Sequence, residues 1–254
     1  MSNILPHLPA DVILAAYARA AGKELESGKF ESPESSAALA ANVFGYFCGH
    51  GKAAAFPRLG WLKGDVERVD LERCVRFPWQ GGLHPWLDAV LETREQIAGI
   101  ESKRYEPFRA HSRTAGFSAA YDRDVWGSDM GPYLALKAAI QTGARTFRSL
   151  DAVQLIKHAL GLRTEGQRCG KEPVLLYIHA EPQRFPRGAD ISLGQIEHHR
   201  DELQRFSDAV AGAAVPFHAM THRALCRIFI ASADPELAAH GAAVHSAFLS
   251  DQYD

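Results

Sequence analysis

Gln96-Ile97-Ala98-Gly99-Ile100-Glu101-Ser102-Lys103 is the stretch on which the fold turns. The run Ile97 to Ile100 is apolar and of strand length, and an acid and a lysine follow it two residues apart. In a strand, side chains alternate between the two faces, so Glu101 and Lys103 point the same way. This is the only Asp/Glu-x-Lys triplet in the chain, but eight lysines among 30 acids in 254 residues supply about one by chance. Its weight therefore comes from its position at the end of a strand.

Working outward, Trp86-Leu87-Asp88-Ala89-Val90-Leu91-Glu92-Thr93 reads as the preceding strand, with a short turn near Arg94-Glu95. Residues 73–78 alternate and read as a strand before it, so the three form a meander. Upstream, Asp11 to Ala21 has one apolar face. Ser32-Pro33 offers a cap and a first-turn proline for a helix over 33–48, on which Leu39, Val43 and Phe47 recur every four residues. Residues 104–128 show no period and read as irregular. Downstream, helices are expected over Tyr133 to Gln141 and over Asp151 to Leu160, the latter capped by Ser149 and stopped by Gly161. The continuous apolar run Pro173 to His179 reads as a strand covered on both faces. A helix over Ile191 to Ala211, a strand over Ala224 to Ala231 and a helix over Pro235 to Leu249 complete the chain. This order predicts an α/β fold, a central mixed sheet flanked by helices, in a single domain over 1–254.

Composition narrows the function classes. With 46% apolar and 23% charged residues the chain can bury a core, and a net charge of −2 excludes a polybasic protein. The balance is uneven: residues 101–171 carry 12 Lys and Arg against 7 Asp and Glu, leaving the remainder acidic. A basic middle in an acidic frame favours a polyanionic ligand. The longest apolar run, Ala209 to Phe217, is too short for a membrane span and contains a proline. The opening Met1 to His7 lacks the pattern of a secretory signal, so the expectation is a soluble, cytoplasmic protein without a membrane partner. Cys48, Cys74, Cys169 and Cys226 form no C-x-x-C pair and read as buried, reduced thiols, and the adjacent His198-His199 point apart on a helix.

A hairpin between the second and third strands brings Asp88 alongside Glu101. Two adjacent carboxylates repel and lose hydration, so the pair calls for a cation. Mg²⁺ suits it, since that ion takes oxygen ligands and keeps waters, with one or two carboxylates and phosphate oxygens completing its shell. Lys103 beside it would hold or help deprotonate the attacking water and offset charge in the transition state.

These residues resemble the PD-(D/E)xK nuclease superfamily, with its restriction-endonuclease-like fold. Its pattern places an acid on the second core strand and acid-x-Lys on the third, in the order helix, three strands, helix, strand. Asp88 and Glu101-Ser102-Lys103 match that pattern. In RecB-like members a later helix carries Gln-x-x-x-Tyr, and Gln154-Leu155-Ile156-Lys157-His158 is similar, with His in place of Tyr. The run Ser35 to Phe44 is similar to the opening helix of bacterial restriction-endonuclease-like proteins. The likeness spans about residues 32–180, and the C-terminal helix-strand-helix reads as an extension. It implies a Mg²⁺-dependent nuclease acting on DNA, with Mn²⁺ as a substitute ion. Asp88 and Glu101 would hold the metal, Lys103 would position water, and Gln154 with Lys157 or His158 would orient substrate or water. It also implies a further acid from the first helix, Glu34, with Glu67 and Asp70 as alternates.

Arg104, Arg109, Arg113, Arg145, Arg148, Arg163 and Arg168 read together as a phosphate-facing stripe. Each assignment has a plainer rival: Glu101 and Lys103 as a surface ion pair, Gln154 and His158 as a solvated helix face, Glu34 as a favourable charge near a helix start. A second function class is an inactive nucleic-acid-binding or assembly module of the same fold. A serine hydrolase is disfavoured, because Gly116-Phe117-Ser118-Ala119-Ala120 lacks the final glycine of G-x-S-x-G and follows a poor strand, His111 to Thr114. A phosphate-binding NTPase is disfavoured by the missing P-loop. Oligomeric state is not fixed by the sequence, and a homodimer stays open.

Overall fold

A computed structural model describes residues 3–109 and 116–253. The expected third strand is β3, Gln96–Lys103, and every residue but Lys103 in it is buried. It pairs antiparallel with β2 (Trp86–Glu92), which pairs antiparallel with β1 (Arg68–Cys74). On its other side β3 runs parallel to β4 (Glu172–His179), and β4 runs parallel to β5 (Phe217–Thr221). The sheet order is thus β1-β2-β3-β4-β5, an α/β mixed sheet with β3 near its middle.

Two apolar layers cover it. One face packs against α1 (Ala10–Arg19), α2 (Ser36–Phe44), α6 (His222–Ile230) and α7 (Pro235–Phe248) through residues such as Tyr17, Phe44, Phe229 and Val244. The other packs against α3 (Gly131–Gln141), α4 (Ala152–Cys169) and α5 (Leu193–Val210) through Tyr133, Ile156 and Phe206. Among the described residues no helix is long and apolar enough to cross a membrane.

Several boundaries differ from the sequence expectation. The first strand lies at 68–74 rather than 73–78. The expected helix over 33–48 begins at Ser36, because Ser35 caps it by accepting from the Ala38 amide, while Ser32 spends its hydroxyl on the Glu34 amide in the turn before. The helix then tightens into a 3₁₀ turn over Gly45–Cys48. The strand expected over Ala224 to Ala231 is helix α6. Its buried positions, Leu225, Cys226 and Phe229, follow helical spacing, while Ile228 and Ile230 are exposed. The nearby strand is the shorter β5, and the Thr221 hydroxyl caps the helix that follows. Of the four thiols expected to be buried, Cys226 is, Cys48 and Cys74 are half-buried and Cys169 is exposed.

Gly161 does not stop α4, and Ser149 does not cap it. Asp151 caps the helix through the Gln154 amide, and the helix ends at Gly170 in a left-handed conformation. Gly161 instead lets α4 lie close on the sheet: a Cβ there would stand 2.8 Å from Val75 Cγ2 and 2.9 Å from Pro85 Cγ. Gly99 does the same from the strand side, where a Cβ would meet Leu162 Cδ1 at 2.7 Å. Replacing a helix-interior glycine with alanine gains about 1 kcal/mol in propensity, whereas overpacking costs about 1–3 kcal/mol. Gly161→Ala is therefore expected to lower the thermal midpoint despite its better helix propensity. A higher midpoint would show that α4 has room to retreat.

Candidate active site

The site lies where β2 and β3 part. Their ladder ends at Ala89 opposite Ile100. One residue further on, the Ser102 amide donates to the Asp88 carboxylate at 2.6 Å. β3 meanwhile continues beside β4 to Lys103, so Asp88 sits half-buried in the fork between a strand that leaves and one that stays.

Glu101 is 2% exposed. It forms a short ion pair with Lys103, and its other oxygen lies 3.3 Å from His158 Nδ1 on α4. That Nδ1 is buried without a hydrogen-bond partner. Loss of hydration, helped by the Lys103 charge, pushes the His158 pKa down to about 3, so the imidazole is neutral near pH 7. Burial and the Glu101 charge push Asp88 up to about 8. Burial also raises Glu101, against the pull of Lys103. Burial disfavours charge on Lys103, but Glu101, Glu106 and Asp88 outweigh it and hold the amine above its ordinary range. Lys103 is therefore a fixed ammonium in this arrangement.

Two further acids join the group. Glu106 accepts from the Arg104 and Tyr105 amides at 2.8 and 3.0 Å and from the Ser36 hydroxyl. Burial works against its charge, but Lys103 and these donors lower its pKa. Glu72 stands in β1 between the pairs Leu71–Ala89 and Arg73–Leu87, which puts it opposite Asp88. Its φ is 50°, a left-handed backbone that few non-glycine residues adopt within a strand. Burial, then Asp88 and Glu101, raise its pKa to about 9. Neither acid was among the sequence candidates. The available signal for Glu106 was an acid three residues after Lys103; for Glu72 it was an acid beside Asp70, hidden by the misplaced first strand.

The neighbouring strand adds a second polar layer. Tyr177 lies beside Glu101 and His179 beside Lys103 in the parallel register. The Tyr177 hydroxyl is 3.1 Å from His199 Nε2, and His179 Nε2 is 3.3 Å from Glu181, which Arg200 grips at 2.7 and 2.5 Å. Although burial opposes it, Arg200 and His179 bring Glu181 down to about 2.

The fold thus gathers Asp88, Glu101, Lys103 and His158. The other sequence candidates stand elsewhere. Glu34 precedes α2 and is ion-paired with Arg109. Arg104 is turned inward onto the carbonyls of Pro33 and Phe248, both at 2.9 Å, and is not a surface phosphate ligand. Gln154 is half-buried, and its carboxamide meets none of the described site groups. Lys157 points to the Gly116 carbonyl at 3.4 Å and over the rings of Phe117 and Tyr121. Asp70 is held by Arg68 and Arg73, away from the fork. Ser118 opens a 3₁₀ turn rather than a helix after a strand, and the expected strand His111 to Thr114, with Arg113, lies outside the described residues.

All the donors at the fork are carboxylate oxygens, which suit a hard divalent cation. Among the described residues no three His, Cys, Asp or Glu side chains converge as a metal-binding set. Compared with known protein families, curated proteins and solved structures, the chain matches none.

The charge imbalance has a measurable consequence. A carboxyl whose folded pKa exceeds its unfolded value binds more protons when folded, so stability falls as pH rises from about 4.5 to about 9 for Glu72. In EDTA, Glu72→Gln is expected to stabilise the fold by about 1–2 kcal/mol at pH 7, and by less near pH 5. Urea unfolding at several pH values measures this. A pH-independent effect, or destabilisation at pH 7, would contradict the placement of Glu72 among unneutralised acids.

Proposed function

We propose that the chain is a metal-dependent nuclease that hydrolyses DNA phosphodiester bonds on a restriction-endonuclease-like core. The observation that carries this reading is the fork itself. Asp88 and Glu101 come from adjacent strands at the point where those strands separate, with Lys103 paired to Glu101 and more negative charge than one ammonium offsets. The element order α2, β1, β2, β3, α4, β4, with β3 and β4 parallel, supports the same core.

In this reading Asp88 and Glu101 hold Mg²⁺ or Mn²⁺, which supplies Lewis-acid stabilisation of the phosphoryl oxygens. Lys103 stays protonated and acts by charge and by hydrogen bonding to the attacking water, rather than as its base. Neutral His158 stands beside the Glu101 carboxylate from α4, with Nδ1 3.3 Å away. The Ser102 amide holds Asp88, and the charge of Glu106 helps keep Lys103 protonated.

A non-catalytic binding or assembly module is the second reading. It is favoured by the Lys103 pair, which already neutralises Glu101, and by the absence of three converging ligands among the described residues.

Cleavage of plasmid, linear and single-stranded DNA in Mg²⁺ and in Mn²⁺ separates the two. Lys103→Ala and Asp88→Asn are each expected to reduce cleavage by at least ~10²-fold, as when a preorganised charge is removed from a phosphoryl or acyl transfer site. Circular dichroism would establish that both variants fold. Absence of any Lys103-sensitive cleavage by folded protein with either ion would overturn the nuclease reading.

A further inference from the structure

A cleft of about 1160 Å³ opens beside the N-terminus of α4, with Asp151 in its wall. Pro107 in its wall directly follows Glu106, and Asp151 caps the helix that carries His158 two turns further on, so the cleft lies beside the fork. Arg145 and Arg148 line it, are exposed, and have no carboxylate partner among the described residues. Other arginines of the basic middle are spent: Arg104 on carbonyls, Arg109 on Glu34, Arg163 on Asp129 and Arg168 on Glu165. Two half-buried aromatics share the cleft. Phe117 lies under Lys137 and Lys157, with the ammonium groups 5.9 and 5.7 Å from its ring centre. Phe147 lies under Arg205 at 5.3 Å.

The turn that presents these groups is built rather than loose. Glu202 on α5 is 1% exposed and accepts the three successive amides of Arg148, Ser149 and Leu150 at 2.7, 2.8 and 2.9 Å. It fixes the segment between Phe147 and the Asp151 cap and so sets where Arg148 leaves the surface.

We infer that this cleft is the path of a single-stranded DNA approaching the fork, its phosphates on Arg145 and Arg148 and its bases against Phe147 and Phe117. Cations without a carboxylate partner along a groove track a phosphate backbone, and half-buried rings in its wall take unstacked bases once the long Lys137, Lys157 and Arg205 side chains above them turn to phosphate. A duplex keeps its bases stacked inside and would offer those rings no base to stack on. This assignment names a substrate class for the proposed nuclease and rests on that reading for its purpose, but it can be tested without catalysis.

Fluorescence anisotropy of a short fluorescein-labelled DNA, single-stranded or duplex, is measured in EDTA over a range of salt. Tighter binding of the single strand is expected. Arg145→Glu with Arg148→Glu should weaken it at least tenfold and reduce the salt dependence by about two phosphate contacts. Phe147→Ala should weaken it about fivefold or more. Arg94→Glu, at the exposed β2–β3 turn, serves as the control. Equal or tighter binding of duplex, or a double variant indistinguishable from Arg94→Glu, would overturn the assignment. If binding behaves as expected while Lys103-sensitive cleavage is absent, the cleft stands and the nuclease reading falls; if cleavage is present but the cleft variants bind as wild type, only the cleft falls.

Discussion

The constraint on which the candidate site depends is the placement of Lys103 among four carboxylates. Burying charge is costly unless it is paired. Here one ammonium stands against Glu72, Asp88, Glu101 and Glu106, and His158 is held neutral by its surroundings. The excess is reflected in the acids themselves: Asp88 and Glu72 are displaced to about 8 and about 9, whereas Glu106, tied to amides and a hydroxyl, is lowered. An arrangement that serves stability alone would match charges or replace them with apolar groups. The β1 residue that adds to the imbalance also holds a left-handed backbone, a second local cost at the same place.

The scaffold makes that arrangement rigid. β3 is covered on both faces, and Gly99 and Gly161 let α4 lie close enough for His158 to meet Glu101. The parting of β2 from β3 leaves a backbone amide free for Asp88. β4 then sets Tyr177 and His179 against the same residues, with His199 and the Glu181–Arg200 pair behind them. Each element brings a polar group to the fork while its apolar side closes the core. That end of the sheet is therefore positioned by packing, not by loops.

Much of this was legible along the chain. Strand β3 has the expected bounds because four consecutive apolar or small residues followed by two polar residues in alternation leave little choice. Asp88 and the Glu101–Lys103 pair follow from strand geometry and a short hairpin. What was not legible depended on distance in sequence or on close approach. Glu72 reaches the fork only in the register that puts it opposite Asp88. Gly161 looks like a helix stop until Val75 and Pro85 are seen to press on it. The apolar run at 224–231 fits a strand by composition, and only the outward position of Ile228 and Ile230 reveals a helix. Arg104 reads as a surface cation, but its carbonyl partners lie 71 and 144 residues away.

We propose that the surplus negative charge at the fork receives a divalent cation. Titration of Mn²⁺ into the metal-free protein, followed by electron paramagnetic resonance, tests it without any substrate. A saturable Mn²⁺ site is expected that Mg²⁺ competes for and that Asp88→Asn removes, while circular dichroism shows the variant still folded. No saturable binding to wild type, or binding unchanged in Asp88→Asn, would contradict it.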